Sequence, residues 1–392
     1  MTAIAAACAG SGGTSAPTSA APTTAQAIVS PTTASTAVRT TSSSACDPVS
    51  AVRAWPLARR AAQLVVAPAL NGQIAALRGL VDQGVGGFVL LGTATPGDLA
   101  AQVAAANRVA SVPLFVMADQ EGGGVQRLGN LVPSLPWARQ MAATMTPAEV
   151  ESAAQRVGAA MLAVGVNVDL APVVDVDGAP GPNARNPDGL RSFSADPVTA
   201  GSYATAFMRG LRSAGVLSVI KHFPGLGGAS ANTDYGSAET APIDELRRSG
   251  LVPFRAAIAS GAPAVMVSNA VVPGLATTPA SLSPDVTALL RDELGFHGLL
   301  VTDSLSAGAI AAAGDAVARA AVVAIEAGAD MVLFGSTLTA ADTALLSPAN
   351  VAQTAADIVD GVVAAAQSGA LAEGRLDTAV MDVLAAKGAK PC

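Results

Sequence analysis

Lys221-His222-Phe223-Pro224-Gly225 closes a short apolar run, and its placement decides how the rest of the chain is read. Comparable junctions recur along the sequence. Asp119-Gln120-Glu121, Asp175, Ser268-Asn269 and Asp303-Ser304 each follow an apolar stretch. Candidate strands cover residues 63–67, 86–91, 114–118, 167–173, 217–222, 264–268, 299–302 and 330–334. They are continuously apolar rather than alternating, as expected of parallel strands buried on both faces. Alanine-rich helical patterns separate them over 96–110, 147–164, 197–214, 243–260, 284–294 and 315–327. Eight such units in one domain predict an α/β fold of the closed (β/α)8 TIM type rather than an open doubly wound sheet. No glycine-rich GxGxxG turn follows the first strand, which weakens a dinucleotide-binding alternative further. In a closed barrel the C-terminal strand ends share one face. Any one of these polar junctions reads as a helix cap or loop, but five converging on one mouth do not.

Composition narrows the function. Charged residues make up 13% and hydrophobic ones 51%, much of it alanine, yet no run of about 18 uncharged apolar residues suggests a membrane span. A formal charge of −7 argues against a nucleic-acid surface. Aromatic residues are only 3%, too few for a broad stacking platform. Nothing has metal-ligand spacing.

The N-terminus reads as a processing signal followed by a tether. Ile4-Ala5-Ala6-Ala7-Cys8, then Ala9-Gly10-Ser11, is similar to the end of a bacterial lipoprotein signal in which Cys8 is lipidated; residues 1–8 lack the basic start and most of the apolar core. The plainer reading is an alanine-rich leader without structure. Residues 9–45 are rich in Ser, Thr, Ala and Pro with almost no charge, the composition of a disordered spacer. Residues 46–392 form the expected folded domain. Cys46 and Cys392 stand at its two ends, and because barrel termini lie close together a disulfide between them is expected in an exported protein, with two unpaired thiols as the alternative. The expectation is an exported monomer in the cell envelope, anchored by lipid to the outer face of the plasma membrane.

Four segments together resemble the barrel domain of glycoside hydrolase family 3. They are Asp119-Gln120-Glu121-Gly122-Gly123, Arg191-Ser192-Phe193, Lys221-His222-Phe223-Pro224-Gly225 and Val301-Thr302-Asp303-Ser304-Leu305-Ser306. Supporting stretches are Leu170-Ala171-Pro172-Val173-Val174-Asp175 and Pro279-Ala280-Ser281-Leu282-Ser283. The pattern is most similar to single-domain bacterial β-N-acetylglucosaminidases, including exported mycobacterial-type lipoproteins. The resemblance implies a retaining exo-glycosidase acting on N-acetylglucosamine glycosides derived from peptidoglycan, with no cofactor. It makes Asp303 the nucleophile that forms a covalent glycosyl intermediate. Asp119, Arg127, Arg191, Lys221 and His222 become substrate-binding residues, cations among them gripping sugar hydroxyls. His222 taken alone would more often be a core histidine with satisfied hydrogen bonds.

The pattern also breaks. Relatives of this type continue the lysine–histidine run as HFPGHG and then carry Asp-Ser-His, whose histidine is the acid/base. Here Leu226-Gly227 and then Asn232-Thr233-Asp234-Tyr235-Gly236 follow, leaving Gly236 at the histidine position. The only histidines are His222 and His297, and His297 precedes the seventh predicted strand, away from the mouth. Gly124 replaces an arginine, consistent with a wider pocket; Asn269 replaces a histidine and Ser304 an aspartate. Losing an acid/base costs about 10²–10⁴-fold in rate. Asp234 is the favoured replacement, with Glu239 or the weakly acidic Tyr235 as alternatives. Two further readings stand: a carbohydrate-binding lipoprotein that no longer hydrolyses, and a β-glucosidase-like exo-glycosidase.

Overall fold

Every predicted strand region carries a strand, and the polar junctions fall at their C-terminal ends. The computed structural model describes residues 47–392, so the leader, the spacer, Cys8 and Cys46 lie outside the described residues. In chain order the strands are β1 (Val65–Leu70), β2 (Gly87–Leu91), β3 (Phe115–Ala118), β4 (Gln120–Gly122), β5 (Val125–Gln126), β6 (Val168–Asp169), β7 (Leu217–Phe223), β8 (Ala264–Val267), β9 (Leu299–Thr302) and β10 (Val332–Leu333). All but β4 and β5 form one parallel sheet in the order β10-β1-β2-β3-β6-β7-β8-β9. A further parallel bridge, Val301 to Met331, joins β9 to the approach of β10, so the sheet closes into the expected barrel. The pair β4–β5 is a small antiparallel hairpin laid over the mouth directly after β3.

The strands are buried on both faces, which is why their sequences do not alternate. The surrounding helices start where the sequence supplies caps. Thr146 and Glu149 exchange capping bonds at the head of Pro147–Ala163, and Asp196 caps Pro197–Ala214, each with proline at the first helical position. Such a cap contributes about 1 kcal/mol. Pro197–Ala214 ends at Gly215 with φ 91°, a left-handed terminator. These two helices approach closely at Gly210, where a Cβ would stand 2.2 Å from the Glu151 carbonyl oxygen. Small residues therefore set the spacing of the outer layer. At the inner layer Phe223 and Phe254 meet edge to face, centroids 5.2 Å apart.

Several boundaries differ from the sequence reading. Residues 57–63 turn as the helix Leu57–Gln63, and the first strand begins later and runs through Pro68 to Leu70. The helix expected over 243–260 breaks into Ile243–Arg248 and Leu251–Ala259 around Ser249 and Gly250. That expected over 284–294 passes from α (Pro284–Ala288) into a π turn (Leu289–Glu293). Two long C-terminal helices, Pro348–Ser368 and Glu373–Ala386, were not expected. The second is tied to the barrel by buried charge: Arg60 meets Asp377 at 2.6 Å. Asp330, 1% exposed, accepts from Arg291 at 3.0 Å, Arg375 at 2.8 Å and the Leu300 N–H at 2.9 Å. Cys392, the last residue, is disulfide-bonded.

Removing Asp330 strands a buried amide and two arginines, so Asp330→Ala should cost about 3 kcal/mol. Urea unfolding of wild type and variant measures it, and a cost near zero would show that the Asp330 cluster is not what anchors the C-terminal helix.

Candidate active site

Lys221 and His222 are neighbours on β7, where successive side chains ordinarily point to opposite faces. The β7–β8 pairing shifts register between Ile220 and Phe223, and both side chains reach the mouth of the barrel. There the Lys221 ammonium, 2% exposed, sits 2.6 Å from Asp119 Oδ1 and 2.6 Å from Glu121 Oε1. Glu121 is also held by Arg191, whose Nε and Nη2 each donate at 2.8 Å. Arg127 Nε lies 3.7 Å from Asp119 Oδ2 with no hydrogen bond, a buried donor left over for something else. Burial pushes the Asp119 and Glu121 carboxyls up. Lys221 and Arg127 beside Asp119, and Arg191 and Lys221 beside Glu121, more than reverse it, and both stay below the usual carboxylate range.

His222 is the second layer of this floor. Its ring is buried, which pushes its pKa down to about 4, with the neighbouring Arg191 adding to the effect. It is therefore neutral, and its 2.7 Å contact with Asp175 is a hydrogen bond from Nδ1–H rather than an ion pair. Nε2 then faces Arg191 Nη2 at 3.3 Å as an acceptor. Asp175 also accepts the backbone N–H of His222 and of Leu226. Burial raises Asp175 to about 7 and lifts the adjacent Asp188, both oxygens of which lack a hydrogen bond, well above its ordinary value. Asp175, Asp188 and His222 bring possible ligand atoms within 4.8 Å of one another. Both Asp175 oxygens already serve N–H donors, and a guanidinium stands beside the imidazole.

Asp303 follows β9. Its backbone N–H donates to Val267 on β8 at 2.8 Å, and its Oδ1 accepts the Ser304 N–H at 2.7 Å. Ser304 is held in turn: Asn269 Nδ2 donates to its carbonyl at 2.7 Å, and Ser281 Oγ donates to Asn269 Oδ1 at 2.6 Å. Asn269 thus buttresses the Asp303 turn without lining the cavity. Burial raises the Asp303 carboxyl, and the charge of Asp234 adds to the rise.

All seven residues expected at the site, Asp119, Arg127, Arg191, Lys221, His222, Asp234 and Asp303, line one cavity of about 350 Å³. That volume suits a small ligand. Asp234 is exposed at the rim, so water tempers its shift, yet the surrounding chain raises its carboxyl while Arg191 opposes. Gly236 does not line the cavity; Asp234 does, its N–H donating to Asn232 Oδ1 at 3.0 Å. Glu239 is exposed and outside the lining, with its backbone paired to Ser230. Tyr235 stands on the rim, 57% exposed. Gly124 does not enlarge the cavity: a side chain there would collide with Trp137, 2.8 Å from where its Cβ would be. Glu121 is missing from the sequence-derived site. Its only signal was its place two residues after Asp119.

Because Asp119 and Glu121 titrate below their unfolded values, their contribution is complete above about pH 4.3 and fades as the pH falls toward their lowered values. Lys221→Met takes from the two buried carboxylates the cation they share, leaving Arg191 on Glu121 and the more distant Arg127 near Asp119 at neutral pH, but lets them protonate in acid. The variant should lose more stability at pH 7 than at pH 4, measured by paired urea titrations. An equal loss at both would mean that the ammonium does not hold the floor.

The chain matches the model of the glycosyl hydrolase family 3 N terminal domain over residues 58–386. It is 37% identical to Beta-hexosaminidase LpqI of Mycobacterium tuberculosis over 287 residues, 71% of this chain and 69% of that protein. Among solved structures it is similar to a glycosyl hydrolase of family GH3 from Mycobacterium smegmatis, with TM-score 0.76 and 38% identity, covering 88% of this chain and 100% of that one. Beta-N-acetylhexosaminidase from Beutenbergia cavernae gives TM-score 0.73 and 36% identity, covering 85% of this chain and 99% of that one. With the barrel closed, the lysine-centred floor under its mouth and an aspartate after the seventh barrel strand, the chain belongs to glycosyl hydrolase family 3.

Proposed function

We propose that this protein is an exo-acting, retaining β-N-acetylhexosaminidase working on N-acetylglucosamine-containing glycosides of the cell envelope, with Asp303 as nucleophile and Asp234 as acid/base. The observation that carries the reading is the pair of carboxyls, Asp303 and Asp234, that line one cavity and are both raised in pKa, over a floor whose charges are mostly paired. A retaining mechanism needs two carboxyls in different protonation states. Asp303 attacks the anomeric carbon as its bond to the leaving oxygen breaks, and the Asp234 proton passes to that oxygen. Asp234, now a carboxylate, takes a proton from water, whose oxygen attacks the same carbon and frees Asp303. Asp119 accepts from sugar hydroxyls, the spare Arg127 Nε–H donates to a sugar oxygen, and His222 Nε2 offers an acceptor. The hexosaminidase names of its relatives support the sugar.

Purified residues 46–392 should release nitrophenol from a β-N-acetylglucosaminide, and Asp303→Ala should remove that activity by about 10⁴-fold or more. Equal inertness of both, with sugar binding retained, would make the protein a carbohydrate-binding relative without turnover. Preference for a β-glucoside would move the substrate instead. The lipoprotein-like stretch ending at Cys8 supports export and lipid anchorage at the outer face of the plasma membrane. Expressed in its own host, the protein should sediment with membranes and Cys8→Ala should not; an unchanged distribution removes the anchor.

A further inference from the structure

The segment that carries Asp303 also grips the segment that carries Asp234. Gly308 opens the helix Gly308–Ala312, which follows the Asp303 turn. Its N–H donates to the Asp234 carbonyl at 3.0 Å, and the Ala309 N–H donates to the Thr233 carbonyl at 2.9 Å. The first amides of a helix have no acceptor inside it, so these bonds satisfy two orphan donors and two loop carbonyls together. The approach is tight. A Cβ on residue 308 would stand 2.6 Å from the Tyr235 carbonyl carbon, 2.7 Å from the Gly236 nitrogen and 2.8 Å from the Tyr235 oxygen. These are backbone atoms and cannot swing aside. Gly308 is not among the glycines with positive φ, so glycine is needed here for room rather than for conformation. From the opposite side Asn232 accepts the Asp234 N–H through Oδ1 and donates to the Asn183 carbonyl at 3.3 Å.

We propose that Gly308 is the positioning residue of the proton-transfer carboxyl: by admitting the backbone of residues 233–236 onto its own helical turn, it fixes Asp234 relative to Asp303. The proposal rests on the role of Asp234 given above. A shifted loop would leave the nucleophile and the sugar-binding floor in place and misplace only the acid. A displacement of about 1 Å at a reacting group costs about 10²-fold.

The test compares Gly308→Ala and Asp234→Asn on two glycosides of the same sugar. The first bears a dinitrophenyl group, which departs without a proton, and the second is a disaccharide, whose leaving oxygen needs one. The measure is kcat/KM, which reports the first bond-breaking step. Both variants should lose about 10²-fold on the disaccharide and less than about 3-fold on the dinitrophenyl glycoside. Equal losses on both substrates with Gly308→Ala would make the residue merely structural, and no loss on either would also overturn the proposal. If Asp234→Asn fails to discriminate between the substrates, the role of Asp234 itself is wrong. If it discriminates and Gly308→Ala does not, only the latch is lost. Should Gly308→Ala not fold, hydrogen exchange in the wild type decides: protected Gly308 and Ala309 amides support the latch, and freely exchanging ones overturn it.

Discussion

An ammonium buried between two carboxylates is the contact on which this site depends. Lys221 comes from β7, Asp119 and Glu121 from the chain leaving β3, and Arg191 from the long loop after β6. Three stretches far apart in sequence are thereby fixed to one point. Neither carboxylate would remain ionised at that depth without the cations, and the cations would not remain buried without the carboxylates. The arrangement also leaves little freedom. With most donors and acceptors of the floor engaged on one another, a ligand meets a rigid polar surface that does not have to reorganise.

Much of this was legible because barrel topology turns sequence order into spatial convergence. Apolar runs marked the strands, and the residues ending them, Asp119, Lys221, His222 and Asp303, marked the mouth. What could not be read was geometry set by tertiary contact. The first strand slipped toward Leu70 because Gln63 ends a helix instead of starting a strand, its side chain donating to the Gly84 carbonyl at 2.6 Å. Glu121 looked like one polar residue among three, and only the folded chain shows it bridging Lys221 and Arg191. The loop after β7 was the hardest part, since counting residues along it placed Gly236 at the critical position. In the folded loop, held by backbone bonds to the Gly308 turn and by the Asn232 side chain, Asp234 lines the cavity and Gly236 does not.

The alanine-rich composition finds its explanation in the same way. Helices laid closely against one another and against a small barrel need short side chains at the crossings, as at Gly210 over Glu151. Hydrophobicity is high because so much of the chain is contact surface, and no helix among the described residues is long and apolar enough to cross a membrane.

The neighbouring charges of Asp234 and Asp303 acquire a temporal meaning on the proposed roles. The charge of Asp234 raises the cost of ionising Asp303, so the resting site disfavours both being charged at once. Once Asp303 becomes an ester it carries no charge, and its share of the penalty on Asp234 is lifted at the moment when Asp234 must be an anion to draw a proton from water. Freeing Asp303 restores the penalty and prepares Asp234 to be reprotonated. A catalytic cycle built this way would need no histidine to keep time, because the covalent intermediate itself acts as the switch.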